Sequence, residues 1–127
     1  MTQNHKIRIL IVDDNDVLRI GLIVFIETFE DLQYVGEATN GEEAVELCAQ
    51  LQPDIILMDL KMPIMDGITA TRIIKEQSPS VRVIAITSFD EEALIQGAQQ
   101  AGIHNFLLKD VSIDTMVSVI RDVYNAK

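Results

Sequence analysis

The chain has 127 residues, 48% of them hydrophobic, with 20 acidic against 10 basic side chains and a formal net charge of −10. That length suits a single domain spanning residues 1–127 that buries about two thirds of its unfolded surface, and a mean hydropathy of +0.20 excludes a disordered chain. The scattered Lys and Arg offer no phosphate-tracking stripe, so direct nucleic-acid binding is not expected; nor does any apolar run approach the roughly 20 residues of a membrane span.

The chain reads as five repeats of a strand followed by a helix. Ile7 to Val12 forms an apolar run that stops at Asp13-Asp14. Val17 to Phe29 reads as a helix with Asp16 as its N-cap. Leu32 to Ala38 alternates more than the other strands, which suits an edge strand. Thr39-Asn40-Gly41 signals a turn, and Glu42 to Leu51 a second helix. Asp54 to Met58 is the most apolar strand and stops at Asp59. Asp66 then caps a helix over 67–77, which Ser78-Pro79-Ser80 closes. Val81 to Ile86 stops at Thr87-Ser88. Asp90-Glu91-Glu92 places negative charge at the start of a fourth helix that ends at Ala101-Gly102. Asn105 to Leu108 stops at Lys109, and Ile113, Met116, Val117, Ile120, Val123 and Tyr124 share one face of a last helix. Strands at this spacing, joined by helical crossovers, imply a parallel sheet covered on both faces.

In such a sheet the ends of the first, third, fourth and fifth strands fall on one edge, where open α/β sheets bind ligands. Asp13, Asp14, Asp59, Thr87 and Lys109 would converge there. Adjacent carboxylates leaving a strand repel each other unless a cation sits between them, and a hard ion such as Mg²⁺ suits that donor set. Asp59 can then accept a phosphoryl group, because the metal neutralises the approaching charge. A hydroxyl at Thr87 can donate to a phosphoryl oxygen, and the Lys109 ammonium can supply a point charge. Neither a Gly-x-Gly-x-x-Gly nor a Gly-x-x-x-x-Gly-Lys-Ser/Thr sequence comes after the first strand, so nucleotide cradling is not supported. The two histidines, His5 and His104, lie away from the reactive edge, so the phosphoryl group must come from a partner. Cys48 is the single cysteine, which excludes an internal disulfide and reads as a buried small hydrophobe.

Ile-Leu-Ile-Val-Asp-Asp at 9–14, Met-Asp-Leu-Lys-Met-Pro-Ile-Met-Asp-Gly at 58–67, Ile-Thr-Ser at 86–88 and Phe-Leu-Leu-Lys-Asp at 106–110 resemble the receiver domain of two-component response regulators. The resemblance implies a flavodoxin-like, doubly wound (βα)5 domain with strand order 2-1-3-4-5. It implies that Asp59 takes phosphate from a sensor histidine kinase or phosphotransfer protein. Asp14, Asp59 and the carbonyl of Lys61 would bind Mg²⁺, with Asp13 contributing through water. Thr87 and Lys109 would hold the phosphoryl group, and Thr87 and Phe106 would form the switch. Lys61 and Phe89 fall where the family tunes phosphoryl lifetime. The domain would catalyse its own phosphorylation and dephosphorylation without being a conventional enzyme, in the cytoplasm, with no membrane contact. Two positions depart from the family pattern. Asp110 stands where many receivers have a cis proline, and Phe106 lacks the family's tyrosine hydroxyl, so any switch there works through packing.

Leu-Leu-Lys-Asp and Leu18-Arg19-Ile20-Gly21-Leu22 resemble receivers that carry a C-terminal helix-turn-helix domain, so a DNA-binding domain is implied if the native chain is longer. The first helix carries more apolar residues than one buried face needs. They form either a homodimer face shared with the last helix or a set fully buried by unusual packing. The competing functions are a metal-dependent phosphohydrolase with an aspartyl intermediate and a phosphorylation-independent interaction module. The first would need an acid two residues after Asp59, where Lys61 stands.

Overall fold

A computed structural model describes residues 5–88 and 91–126. Five strands, β1 (Ile7–Val12), β2 (Leu32–Ala38), β3 (Ile55–Asp59), β4 (Arg82–Thr87) and β5 (Asn105–Leu108), alternate with α1 (Asp16–Glu27), α2 (Gly41–Leu51), α3 (Gly67–Gln77), α4 (Glu92–Ala101) and α5 (Ile113–Asn125). The strands are parallel and lie in the order β2-β1-β3-β4-β5, so the chain starts near one edge, turns outward once and then runs across the sheet. The topological switch point falls between β1 and β3, beside the ends that carry Asp13 and Asp59.

Side-chain alternation divides the core into two layers. Ile9 and Ile11 of β1 face Leu22 and Ile26 of α1 and Met116, Val117, Ile120 and Val123 of α5. Leu10 and Val12 face the opposite way, toward Ala44 and Cys48 of α2 and Ala70 and Ile74 of α3. Leu60, Ala85 and Ala98 continue the second layer toward α4, with Phe106 partly buried against them. All five residues of β3 are buried, as a strand covered on both faces requires.

One irregularity breaks the β1–β2 register: Ile9 pairs with Tyr34, but Leu10 pairs with Gly36, so Val35 is an extra residue. Adding one residue reverses the side-chain alternation beyond it. Tyr34 and Glu37, three apart, thereby share the α1–α5 side of the sheet, and the Tyr34 hydroxyl donates to Glu37 Oε2 at 2.7 Å.

Helix starts obey local hydrogen-bonding chemistry. Asn15, not Asp16, caps α1: its side chain accepts from Leu18 N at 3.0 Å, while Asp16 lies inside the first turn and pairs with Arg19. The sequence offers both residues as caps, and only the one with extended backbone geometry can turn its oxygen toward the third amide. Asn40 caps α2, which begins at Gly41, one residue earlier than expected. Asp66 caps α3 as expected, accepting from Thr69 N at 2.8 Å. Glu91 precedes α4 without a side-chain cap bond, and Asp90, expected to open that helix, lies outside the described residues. Gly102 ends α4 at φ 98°, a left-handed conformation that favours glycine.

The β3–α3 connection owes its course to Gly67. Its amide donates to the Leu60 carbonyl at 3.0 Å, and a Cβ there would lie 2.1 Å from the carbonyl oxygen of Asp59. Gly67→Ala is expected to destabilise the fold by about 3 kcal/mol, the upper end of overpacking costs, because the obstruction is backbone. Urea unfolding checks the size of the loss.

Candidate functional site

Each strand-end residue reaches the site from its own element. Asp13 comes directly after β1 and is 2% exposed. Its amide donates to the Ala38 carbonyl at 3.0 Å, and its Oδ1 accepts from Asn15 N at 2.8 Å. Asp59 ends β3 and is 4% exposed. Asp14 is exposed at the mouth. One carboxylate oxygen from each of the three lies within 4.8 Å of the others.

Lys109 comes directly after β5 and is anchored by its amide, which donates to the Thr87 carbonyl at 2.9 Å. That bond extends the β4–β5 ladder by one rung and brings Thr87, fully buried at the end of β4, beside the lysine. The Lys109 ammonium then sits 3.0 Å from Asp13 Oδ2 and 3.3 Å from Asp59 Oδ2. Three carboxylates and an ammonium therefore meet at the C-terminal edge of the sheet, with Thr87 adjacent in the ladder.

Like charge packed in a protein interior perturbs titration. Burial raises the Asp59 carboxyl from its ordinary 3.8 to about 6, the Asp13 charge adds to the rise, and Lys109 opposes it. Burial works against the Lys109 ammonium, yet its bonds to Asp13 and the charge of Asp59 outweigh that and raise its pKa. The all-oxygen donor set, drawn together against its own repulsion, fits a hard divalent cation. The residues present can hold a metal.

The remaining expected residues fall around this centre. Lys61 lies in the β3–α3 loop, with its ammonium 3.5 Å from Glu91. In the same loop Ile64 takes φ 69° and is 78% exposed, an uncommon conformation for a β-branched side chain. Phe106 lies opposite Ala85 on the α4 side. Phe89, expected to tune phosphoryl lifetime, lies outside the described residues. His104 sits at the opposite edge, where its Nδ1 accepts from Val83 N at 3.3 Å. Cys48 is buried as expected.

Arg19 was not among the expected site residues. Only 8% exposed, it donates from Nη1 to the main-chain carbonyl of Asp13 at 2.8 Å. The available signal was an arginine on the buried stripe of an apolar helix, three residues after an aspartate.

A family model of the response regulator receiver domain matches residues 9–121. The chain belongs to that family. This receiver is 41% identical over 119 residues to the transcriptional regulatory protein LnrK of Bacillus subtilis (strain 168), covering 94% of this chain and 54% of LnrK. It is 38% identical over 119 residues to the response regulator protein VraR of Staphylococcus saprophyticus, with 94% and 57% covered. The chain thus spans just over half the length of these curated relatives. The signal receiver domain of the NarL regulator from Mycobacterium tuberculosis superposes with a TM-score of 0.92 at 32% identity, covering 97% of this chain and 99% of that one. No helix among the described residues is long and apolar enough to cross a membrane.

The raised Asp59 pKa fixes the sign of one pH effect. The folded state binds this proton more tightly than the unfolded chain, so the associated stability is complete below about pH 4 and is lost as pH rises through about 6. In chelator-treated receiver, Asp59→Asn is expected to raise stability at pH 7.5 by on the order of 2 kcal/mol and to change it little at pH 4. Thermal unfolding at the two pH values checks this.

Proposed function

We propose that this receiver, taken as one domain over residues 1–127, is a phosphorylation-controlled signalling switch with Asp59 as the phosphoryl acceptor. The observation that carries the reading is the meeting of Asp13, Asp14, Asp59 and Lys109 at the sheet edge, one ammonium among three carboxylates. The donor is a phosphohistidine on a sensor histidine kinase or phosphotransfer protein, since His104 lies at the opposite edge. In the ionised state Asp59 attacks phosphorus, the P–N bond breaks, the donor imidazole takes up a proton, and an acyl phosphate remains on Asp59.

Mg²⁺ is the cation proposed: Asp14, Asp59 and the Lys61 carbonyl would hold it, with Asp13 through water, and it would supply charge neutralisation for the incoming phosphoryl group. The chain's own residues supply the rest. Lys109 trades its contact with Asp59 for one with a phosphoryl oxygen, and the Thr87 hydroxyl donates to another. Added charge at Asp59 draws these two residues toward it and shifts a two-state equilibrium. Phe106, which has no hydroxyl, transmits the shift by repacking against Leu60, Ala85 and Ala98. Lys61 offers no acid two residues after Asp59, so nothing favours a phosphohydrolase.

The relatives and α1 together suggest the output surface and partners. LnrK is a transcriptional regulatory protein nearly twice the length of the region matched, which supports a DNA-binding domain if the native chain is longer. Val17 is 83% exposed, and Ile20, Val24 and Phe25 share the outer side of α1 with it. Full burial of this set, one of the two sequence expectations, therefore does not hold. The exposed stripe supports contact with a second protein, either the phosphodonor or another copy in a homodimer.

Incubation with acetyl phosphate and Mg²⁺ should add the mass of one phosphoryl group, and chelation or Asp59→Asn should abolish the gain. Intact-protein mass spectrometry decides, and a gain that persists in Asp59→Asn would sink the assignment. Sedimentation with and without an acyl-phosphate mimic separates the monomer from the homodimer.

A further inference from the structure

A buried guanidinium is costly unless each of its faces finds an acceptor. Arg19 finds three. Its Nε donates to Glu37 Oε1 at 2.6 Å, its Nη2 to Asp16 Oδ1 at 2.7 Å, and its Nη1 to the Asp13 carbonyl at 2.8 Å. Glu37 is itself held, because the Tyr34 hydroxyl donates to its second oxygen. The extra residue in β2 makes that possible by placing Tyr34 and Glu37 on the same side of the sheet. The bond to Arg19 lowers the pKa of Glu37, and burial holds the Tyr34 hydroxyl up at about 12, so both keep these roles across the physiological range.

All of these contacts converge on the β1–α1 turn. Asp13 is thereby fixed at four polar atoms: its amide by Ala38, its carbonyl by Arg19, its Oδ1 by Asn15 N and its Oδ2 by Lys109. Arg19 holds Asp13 by its main-chain carbonyl and not by its carboxylate. It ties the turn to Glu37 of the edge strand.

We propose that Arg19, braced by Glu37 and Tyr34, is a positioning residue that fixes Asp13 for cation binding. The inference rests on the reading of Asp13, Asp14 and Asp59 as a Mg²⁺ site. Mg²⁺ demands near-ideal geometry and tolerates little displacement of its oxygen neighbours. Groups that orient metal ligands typically change affinity by about 10-fold to 100-fold when removed. The sign of the effect separates positioning from charge. Arg19 is a cation close to the acidic cluster, so deleting its charge should tighten Mg²⁺ binding if it acts only through the field. Loss of positioning weakens binding instead.

The test is Mg²⁺ titration of the wild-type chain, Arg19→Met and Arg19→Lys, monitored by amide chemical shifts, with thermal unfolding measured in chelator. Arg19→Met keeps the aliphatic stem and should weaken Mg²⁺ binding about tenfold. Arg19→Lys, able to keep one of the three contacts, should fall between. Acetyl phosphate labelling of Arg19→Met should be slow at limiting Mg²⁺ and recover at saturating Mg²⁺, a split that a general loss of stability would not give. A folded Arg19→Met that binds Mg²⁺ as tightly as wild type, or more tightly, overturns the proposal. Should Arg19→Met fail to fold, Glu37→Ala carries the test, with weaker binding than wild type expected and unchanged binding overturning it. A wild-type chain that binds Mg²⁺ with the expected Arg19 dependence but takes no phosphoryl group would refute the switch and support the positioning role. A wild-type chain that binds no Mg²⁺ refutes both.

Discussion

The mutual repulsion of three carboxylates at one sheet edge is the constraint around which the molecule is organised. Two of them, Asp13 and Asp59, are almost fully withdrawn from water, where like charges interact far more strongly than at a surface. Lys109 is the resident counter-charge, shared between both. One ammonium cannot balance three carboxylates, so the site is left with an electrostatic deficit that favours protons or cations. Burial, with that deficit adding to it, raises the Asp59 pKa, and the same donor set fits a divalent cation. Everything nearby serves to hold the frustrated groups in place. Gly67 lets the loop close against Asp59, the Thr87 carbonyl anchors Lys109, and Asn15 and Arg19 fix Asp13 from both sides.

The two core layers give that edge different mechanical surroundings. On one side α1 and α5 pack with large aliphatic residues, and Arg121 adds a paired contact from α5 to Asp31 beyond α1. On the other side, near α4, the small residues Ala85 and Ala98 pack with Leu60 beside the half-buried ring of Phe106. A half-buried ring with alanines among its neighbours can change its packing with less disruption than a fully buried isoleucine. Any rearrangement driven from Thr87 and Lys109 is therefore cheapest in the direction of α4 and β5.

Much of this was legible in the sequence because it depends on local rules. The runs at 7–12, 54–58, 81–86 and 105–108 read as strands, and strands form at Ile7–Val12, Ile55–Asp59, Arg82–Thr87 and Asn105–Leu108, each ending beside the candidate site. The helical face at Met116, Val117, Ile120 and Val123 was equally direct. The order in which the strands lie was not local and came from family resemblance. The cap of α1 was misplaced by one residue because Asn15 and Asp16 have nearly equal capping chemistry, and backbone dihedrals decide between them. Arg19 escaped notice for a deeper reason. Its partners, Asp13, Asp16 and Glu37, span 24 positions of sequence, and Glu37 faces it only because of a register shift that no pattern of alternation announces.

That register shift has a second consequence. β2 is an edge strand, and an edge strand of regular pleat offers a row of unpaired amides and carbonyls on which another chain can build. The surplus residue at Val35 interrupts that row near its middle and increases the local twist of the strand. The opposite edge, β5, has four residues, too few to template much pairing. The irregularity that aims Glu37 at the arginine therefore also guards the sheet against growing sideways into aggregates, so its loss would threaten solubility as well as the site.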